Sequence, residues 1–252
     1  MKLLTWNVNG IRARHGELRE LLVAEEPDIV CLQEIKASPA QIPELLLSAA
    51  DYCCLWHGAG GYSGVALLVR QQHVTPPPPF SHPPFDVDQR IVVANLAPLQ
   101  VASVYVPNGG KDYAAKLRFL ESVTAWAGEA NRLERPLVIC GDLNVAREER
   151  DVHPKERKPN QVGTRPEERG LFSRFFDAGL VDVGRALDPD NDELFTWWAP
   201  WRNLRQRNIG WRIDYVLAAA PLAARATSCV SRRDFGTSDH APVIVTIDGG
   251  FS

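Results

Sequence analysis

Asp142 and Asn144 stand two residues apart where the apolar run Leu137–Gly141 ends. Side chains two apart on a strand point to the same face, so a carboxylate and an amide would project side by side. That pair suits holding a hard cation or orienting a water at a phosphate. By itself it says little, because Gly-Asp at a strand end more often makes a turn or caps a helix. The pattern recurs, however. Leu3–Trp6 leads to Asn7 and Asn9, Ile29–Leu32 to Gln33-Glu34, and Val101–Val104 to Tyr105 and Asn108. Asp214 lies at the start of one later apolar run, and Ser238-Asp239-His240 comes just before the last.

The chemistry such a set supports is narrow. Carboxylates with amide oxygens suit Mg²⁺ or Mn²⁺, and the lack of a Cys/His cluster disfavours zinc. Hydrolysis of a phosphodiester needs charge neutralised on its oxygens, a deprotonated water in line, and a stabilised leaving oxygen. Glu34 can hold the cation, Asp142 can take the proton of the water, and His240, oriented by a carboxylate, can donate to a non-bridging oxygen. Each residue also has a plain reading. Asn7 or Asn108 alone is a turn former, Glu34 a solvated strand end, and His240 a structural histidine. Their joint occurrence at six separate strand ends is what favours a site. Neither a serine nucleophile elbow nor a phosphate-binding P-loop occurs, which turns the reading away from acyl transfer and nucleotide-driven work.

Elements must bring these ends together. Lys2–Val8, Asp28–Gln33, Gly64–Arg70, Ile91–Leu96, Val101–Val106, Leu137–Gly141, Ile213–Leu217 and Val243–Ile247 read as short strands. Several are continuously apolar, as strands covered on both faces are. Helical spacing appears over Gly16–Glu25, Ala40–Ser48, Asp112–Ala130 and Pro166–Ala178. The alternation implies a layered α/β domain. Thr75–Pro84 reads as a stiff extended loop and Arg147–Arg169 as a solvated one. No break marks a second domain, so one domain over residues 1–252 is expected.

Lys+Arg of 28 against Asp+Glu of 31 leaves a net charge of −3, so any nucleic-acid surface must be local. Trp201–Ile213 is the candidate. It carries Arg202, Arg205, Arg207 and Arg212 with no acidic residue before Asp214, framed by Trp201 and Trp211. Arginine among aromatics fits nucleic-acid backbones and exposed bases; a basic surface loop with two buried tryptophans fits equally well. Five cysteines without a CxxC pair suit a reducing cytoplasm. Met1-Lys2 runs directly into a strand-like segment, with no leader-like or membrane-spanning stretch. A cytoplasmic protein is expected, nucleoid-associated in a bacterium.

The motifs in combination are specific. Trp6-Asn7-Val8-Asn9-Gly10-Ile11-Arg12-Ala13, Leu32-Gln33-Glu34-Ile35-Lys36, Gly61-Tyr62-Ser63-Gly64-Val65 and Tyr105-Val106-Pro107-Asn108 are followed by Gly141-Asp142-Leu143-Asn144-Val145-Ala146, Asn208-Ile209-Gly210-Trp211-Arg212-Ile213-Asp214-Tyr215 and Ser238-Asp239-His240. Together they resemble the exonuclease III family of abasic-site DNA endonucleases, from Leu3 to about Ile247. The resemblance implies a four-layer sandwich of two mixed β-sheets flanked by helices, of the DNase I-like type. It implies Mg²⁺-dependent incision 5′ to an abasic site, with Mn²⁺ as a substitute, and 3′→5′ exonuclease or 3′-end-cleaning activity. The partner would be double-stranded DNA with abasic sites or blocked 3′ ends, met by a monomer without a nucleotide cofactor or a membrane.

By motif position, Asn7, Glu34 and Asp239 resemble metal-site residues, with Asp142, Asn144 and His240 around the same site. Asp142 resembles the residue that activates water, Asn144 its partner, and Asp214 the orienter of His240. Tyr105 and Asn108 resemble phosphate and transition-state contacts. Trp197, Trp211 and Ile213 match an apolar pocket for an extrahelical deoxyribose. Lys111 and Trp201 match positions that enter the DNA grooves, and Arg205 and Asn208 are assigned to the same DNA surface. Three positions depart from other members: Asn9 where some carry Asp, Lys111 where some carry Arg, and Trp201 where some carry Met. Two rival readings stand beside this one. A phosphoesterase of the same fold acting on a small substrate would not need the Trp201–Arg212 segment. A catalytically weak DNA-binding protein would have lost a metal or base residue.

Overall fold

The structure, a computed structural model, describes residues 1–47 and 51–250. Its chain order is β1 Lys2–Asn7, α1 Ile11–Glu25, β2 Ile29–Gln33, α2 Glu44–Leu47, β3 Tyr52–His57, β4 Val65–Arg70, β5 Phe80–Ser81, β6 Ile91–Leu96 and β7 Leu99–Tyr105. There follow α3 Tyr113–Arg132, β8 Leu137–Asp142, α4 Pro166–Asp177, β9 Leu180–Asp182, α5 Val183–Leu187, β10 Asp214–Ala219, α6 Ala220–Ala223, β11 Ala226–Ser231 and β12 Val243–Ile247. Two six-stranded sheets form, in the orders β11-β12-β1-β2-β4-β3 and β5-β6-β7-β8-β10-β9. Both are mixed, with β1 parallel to β2 and β7 parallel to β8 among antiparallel neighbours.

The continuous apolar runs explain the layering. Alternate residues of one strand serve different interfaces. Leu3, Ile29 and Cys31 face Val101, Val138 and Cys140 between the sheets. Their neighbours Leu4, Val30 and Leu32 pack with Ile11, Leu18 and Leu21 of α1. Ile139 and Leu217 pack with Phe119, Leu120 and Phe172 of α3 and α4. Four layers result: helix, sheet, sheet, helix.

The expected elements are present with four differences. The first helix begins at Ile11 and not at Gly16, because the chain already turns at Asn9 and Gly10, both at positive φ. The helix expected over Ala40–Ser48 is a short turn at Pro39–Gln41 followed by α2, with Ser48 outside the described residues. Thr75–Pro84 is not loop throughout, since Phe80–Ser81 pairs with β6. Arg147–Arg169 is not merely solvated either: Asp151 and Glu168 are buried within it. Among the described residues no helix is long and apolar enough to cross a membrane.

Pairing places the chemistry at one end. Asn7 sits in register with Gln33, so Glu34 follows at the same rim. Tyr105 is in register with Asp142, and Asp142 with Asp214 of the antiparallel β10. Gly141 makes this possible: at φ +150°, a Cβ there would lie 1.9 Å from the Val104 carbonyl oxygen, so only glycine lets β7 and β8 stay paired up to Asp142.

Candidate active site

Asn7 ties the sheets together at this rim. Fully buried, its amide nitrogen donates to Glu34 Oε1 at 3.0 Å and to Asp142 Oδ2 at 2.9 Å, while its Oδ1 accepts from the Asn9 backbone at 3.0 Å. Glu34 Oε1 also accepts from the Tyr105 hydroxyl at 2.7 Å, and Glu34 Oε2 lies 2.7 Å from Lys36 Nζ. Lys36 in turn reaches Asn9 Oδ1 at 2.6 Å, and Asn9 Nδ2 donates to Asp239 Oδ1 at 2.8 Å. Trp197 Nε1 holds the other Asp239 oxygen at 2.9 Å. Asn9, Glu34, Lys36 and Asn144 all adopt left-handed backbone. Such conformations cost on the order of 1–3 kcal/mol each for non-glycine residues and gather at functional sites.

The second group stands on β8 and β10. His240 Nδ1 lies 2.9 Å from Asp214 Oδ2, and its Nε2 lies 3.8 Å from Asp142 Oδ2. Thr196 Oγ1 donates to Asp214 Oδ2 at 2.7 Å and accepts from the Asp214 backbone, which fixes that carboxylate. Ser238 Oγ accepts from the His240 backbone and donates to the Asn7 carbonyl. Asn144 donates through its backbone to Asp142 Oδ1 at 3.0 Å and through its amide to Val106 at 2.9 Å; its Oδ1 faces Asn108 at 3.4 Å.

Electrostatics divide the carboxylates into two kinds. Burial pushes Glu34 up, but hydrogen bonds from Lys36 and Asn7, the Lys36 charge and the Tyr105 hydroxyl outweigh it, and the net shift is down. Burial likewise pushes Asp239 up, and the His240 charge with the Trp197 and Asn9 hydrogen bonds brings it down. Asp142 goes the other way: burial raises it, His240 opposes, and Asp214 and Glu34 add to the rise. His240 is raised, because the charges of Asp214 and Asp142 overcome the burial that disfavours its cation. Two carboxylates are thus held ionised, and one is tuned toward accepting a proton.

A cleft of about 410 Å³ opens over this rim. Its polar wall holds Glu34, Tyr105, Asn108, Asp142, Asn144, Asp239 and His240; its apolar wall holds Trp197, Trp211 and Ile213. Trp197 and Trp211 pack edge to face, with centroids 6.1 Å apart. An adjoining cleft carries Trp201, which is 59% exposed, together with Asn9, Arg202 and Asp239. Lys111 is exposed just before α3.

Two assigned residues, Arg205 and Asn208, lie outside the cleft over the rim, as does Arg212 of the basic segment. Arg205 donates to the carbonyls of Arg233, Phe235 and Ser238, so its guanidinium braces a loop, while the half-buried residue lines the adjoining cleft with Trp201. Asn208 accepts from Trp198 Nε1 and lines a different cleft, beside Phe195 and Ser231. Arg212 is buried and paired with Asp151 at 2.9 Å and Asp182 at 2.6 Å. The basic segment is therefore split, with Arg202 and Arg207 exposed, Arg205 half-buried and Arg212 buried.

Sequence reasoning gave no role to Lys36, Thr196, Lys116 or Glu168. Lys116 and Glu168 form a fully buried ion pair; Lys116 also donates to the Asn144 carbonyl at 2.7 Å, and Glu168 accepts from the Gly163 backbone at 2.8 Å. The pair thereby holds both Asn144 and one wall of the cleft. A lysine on the apolar stripe Lys116-Phe119-Leu120-Val123 was the available signal.

The donor set fits a hard divalent cation. Its ligating atoms at the Glu34–Asp239 edge are oxygens, and Glu34 and Asp142, bridged by the Asn7 amide, would gain from a cation beside them. Comparison with known proteins agrees with this chemistry. The model of the endonuclease/exonuclease/phosphatase family matches residues 4–240. An exodeoxyribonuclease of Bacillus subtilis is 34% identical, over 98% of this chain and 100% of its own length. The solved structure of an AP endonuclease from Archaeoglobus fulgidus superposes with a TM-score of 0.89 at 30% identity, covering 99% of this chain and 100% of that one. A 3′ phosphatase from Neisseria, solved with a product DNA hairpin, also gives 0.89 at 29% identity and the same coverage. The chain belongs to the endonuclease/exonuclease/phosphatase family and, within it, to the exonuclease III and AP endonuclease class of hydrolytic nucleases.

Proposed function

We propose that the protein is a Mg²⁺-dependent DNA repair nuclease that hydrolyses the phosphodiester 5′ to abasic sites in duplex DNA and also cleans blocked 3′ ends. One observation carries the reading: the raised Asp142, His240 backed by Asp214, and the apolar wall of Trp197, Trp211 and Ile213 meet at one cleft, which Asp142, His240 and the wall line. Glu34 and Asp239, with Asn7, would hold the cation. The cation supplies charge neutralisation at the phosphate oxygens. Asp142 accepts the proton of the attacking water, and Asn144 fixes its orientation. His240, held by Asp214, donates from Nε2 to a phosphate oxygen. Tyr105 and Asn108 face the same phosphate, and the tryptophan wall receives a sugar that carries no base.

The test sets three substrates side by side: a duplex with an internal abasic analogue, a duplex with a 3′-phosphate, and a small aryl phosphate. Mg²⁺ should support cleavage of both duplexes, Mn²⁺ should replace it, and EDTA should abolish both. Turnover of the aryl phosphate alone would replace this reading with the small-substrate phosphoesterase. Binding of the duplexes without cleavage of either would leave a DNA-binding protein.

A further inference from the structure

A second group of metal-ligating side chains lies outside the catalytic cleft. His57 ends β3, His82 follows β5, and Asp86 lies in the connection to β6. The ligand atoms that these three offer lie within 4.8 Å of one another. His57 Nε2 is 2.6 Å from Asp86 Oδ2, and the two imidazoles stack with centroids 3.8 Å apart.

Backbone partners orient the Asp86 carboxylate and engage one nitrogen of His82. Asp86 Oδ1 is occupied by the backbone amides of Arg90 at 2.8 Å and Ile91 at 3.1 Å, which leaves Oδ2 turned to His57. His82 Nδ1 lies 3.2 Å from the Ile91 carbonyl. A proton on that nitrogen leaves Nε2 with its lone pair. Backbone partners that fix carboxylate and tautomer in this way are the usual support of a transition-metal site. His57 and Asp86 are partly shielded, whereas His82 is exposed.

We propose that His57, His82 and Asp86 form a site for a borderline divalent transition metal such as Zn²⁺ or Co²⁺, separate from the nuclease centre. Two imidazoles and one carboxylate select this class over Mg²⁺, which takes oxygen donors. A solvent molecule completes four-coordination. Two adjustments accompany binding. At bond lengths of about 2.0–2.2 Å in a tetrahedral site, the His57 and Asp86 atoms must part by roughly 0.7 Å. His82 must also tilt out of the stack, since the lone pairs of parallel rings do not converge. As the exposed member, it is the one free to move. The ion would tie the end of β3 to the segment between β5 and β6.

Co²⁺ titration of the chelator-stripped protein in excess Mg²⁺, read by visible d–d absorption, tests the site. His82→Ala removes an exposed ligand, and Glu34→Gln alters only the nuclease centre. The wild type and Glu34→Gln should each take up one Co²⁺ with the same affinity. His82→Ala should bind at least about tenfold more weakly, the minimum cost of disturbing such a site. Its Mg²⁺-dependent nuclease rate should match the wild type, which shows that the variant is folded. Equal Co²⁺ titrations of the wild type and His82→Ala would overturn the proposal. So would loss of the signal in Glu34→Gln, or no uptake by the wild type.

Discussion

At the scale of single residues, the carboxylates divide by environment. Glu34 and Asp239 are held ionised by donors around them, and Asp142 is driven up by burial among like charges. If Glu34 holds the cation, Glu34→Gln should raise the Mg²⁺ concentration needed for half-maximal incision; an unchanged titration rejects that role. Asn9 links Lys36 to Asp239. Asn9→Asp keeps an acceptor for Lys36 but sets a second carboxylate against Asp239, so a cation there is favoured and half-maximal rate should need less Mg²⁺. A higher requirement would mean that the amide donation to Asp239 matters more than added charge. Residue type and spacing made most of this group legible, because a polar residue ending an apolar run has few places to point. They did not reveal where long side chains turn. Arg205 and Arg212 look alike beside Arg202 and Arg207 in the sequence, yet the first braces a loop and the second is buried in an ion pair.

At the scale of elements, the strands split cleanly. Every strand expected from the sequence lies within its sheet, and the four not expected, β3, β5, β9 and β11, are the four sheet edges. A central strand is covered on both faces and reads as a continuous apolar run. An edge strand is partly solvated; β11 mixes half-buried and exposed positions and leaves no such run. The entry to β10 shows what sets a functional strand in place. Arg212 is clamped by Asp151 and Asp182, and Arg185 adds a second contact to Asp151 at 2.8 Å. Burial pushes Asp151 up, but the Arg212 charge and hydrogen bonds from Arg212, the Glu148 backbone and Arg185 hold it below the usual carboxylate range. A depressed folded-state value contributes stability above the unfolded value and loses it as pH falls. Asp151→Asn should therefore be less stable at neutral pH, by about 3–5 kcal/mol, since Arg212 and Arg185 lose a buried partner. Its unfolding free energy should also fall less than that of the wild type from about pH 6 to about pH 3. Parallel acid limbs in denaturant titrations would remove Asp151 as the acid-sensitive group.

At the scale of the whole molecule, two sheets meet at one rim, and the cleft draws on both. Glu34 and Asp239 come from one sheet and its loops, Asp142 and Asp214 from the other, and Asn7 bonds across. The apolar wall of Trp197, Trp211 and Ile213 belongs to the same cleft. Trp211 is only 6% exposed and packs with Trp197, Ile213 and Val152. A normal nucleotide must unpair and unstack, at a few kcal/mol, before it could enter. If the wall excludes a base, Trp211→Ala should slow abasic-site incision and raise cleavage of undamaged duplex relative to it. An equal fall in both rates would make Trp211 a core residue alone.

The central claim is that Asp142 takes the proton of the attacking water in this shared cleft. Single-turnover incision of an abasic duplex by Asp142→Asn, with DNA binding measured on the same preparation, tests it most directly. The expected result is a rate lower by about 10²–10⁴-fold with binding retained, because a negative charge near the phosphate is removed while shape is kept. A near-normal rate on fully bound DNA would contradict it.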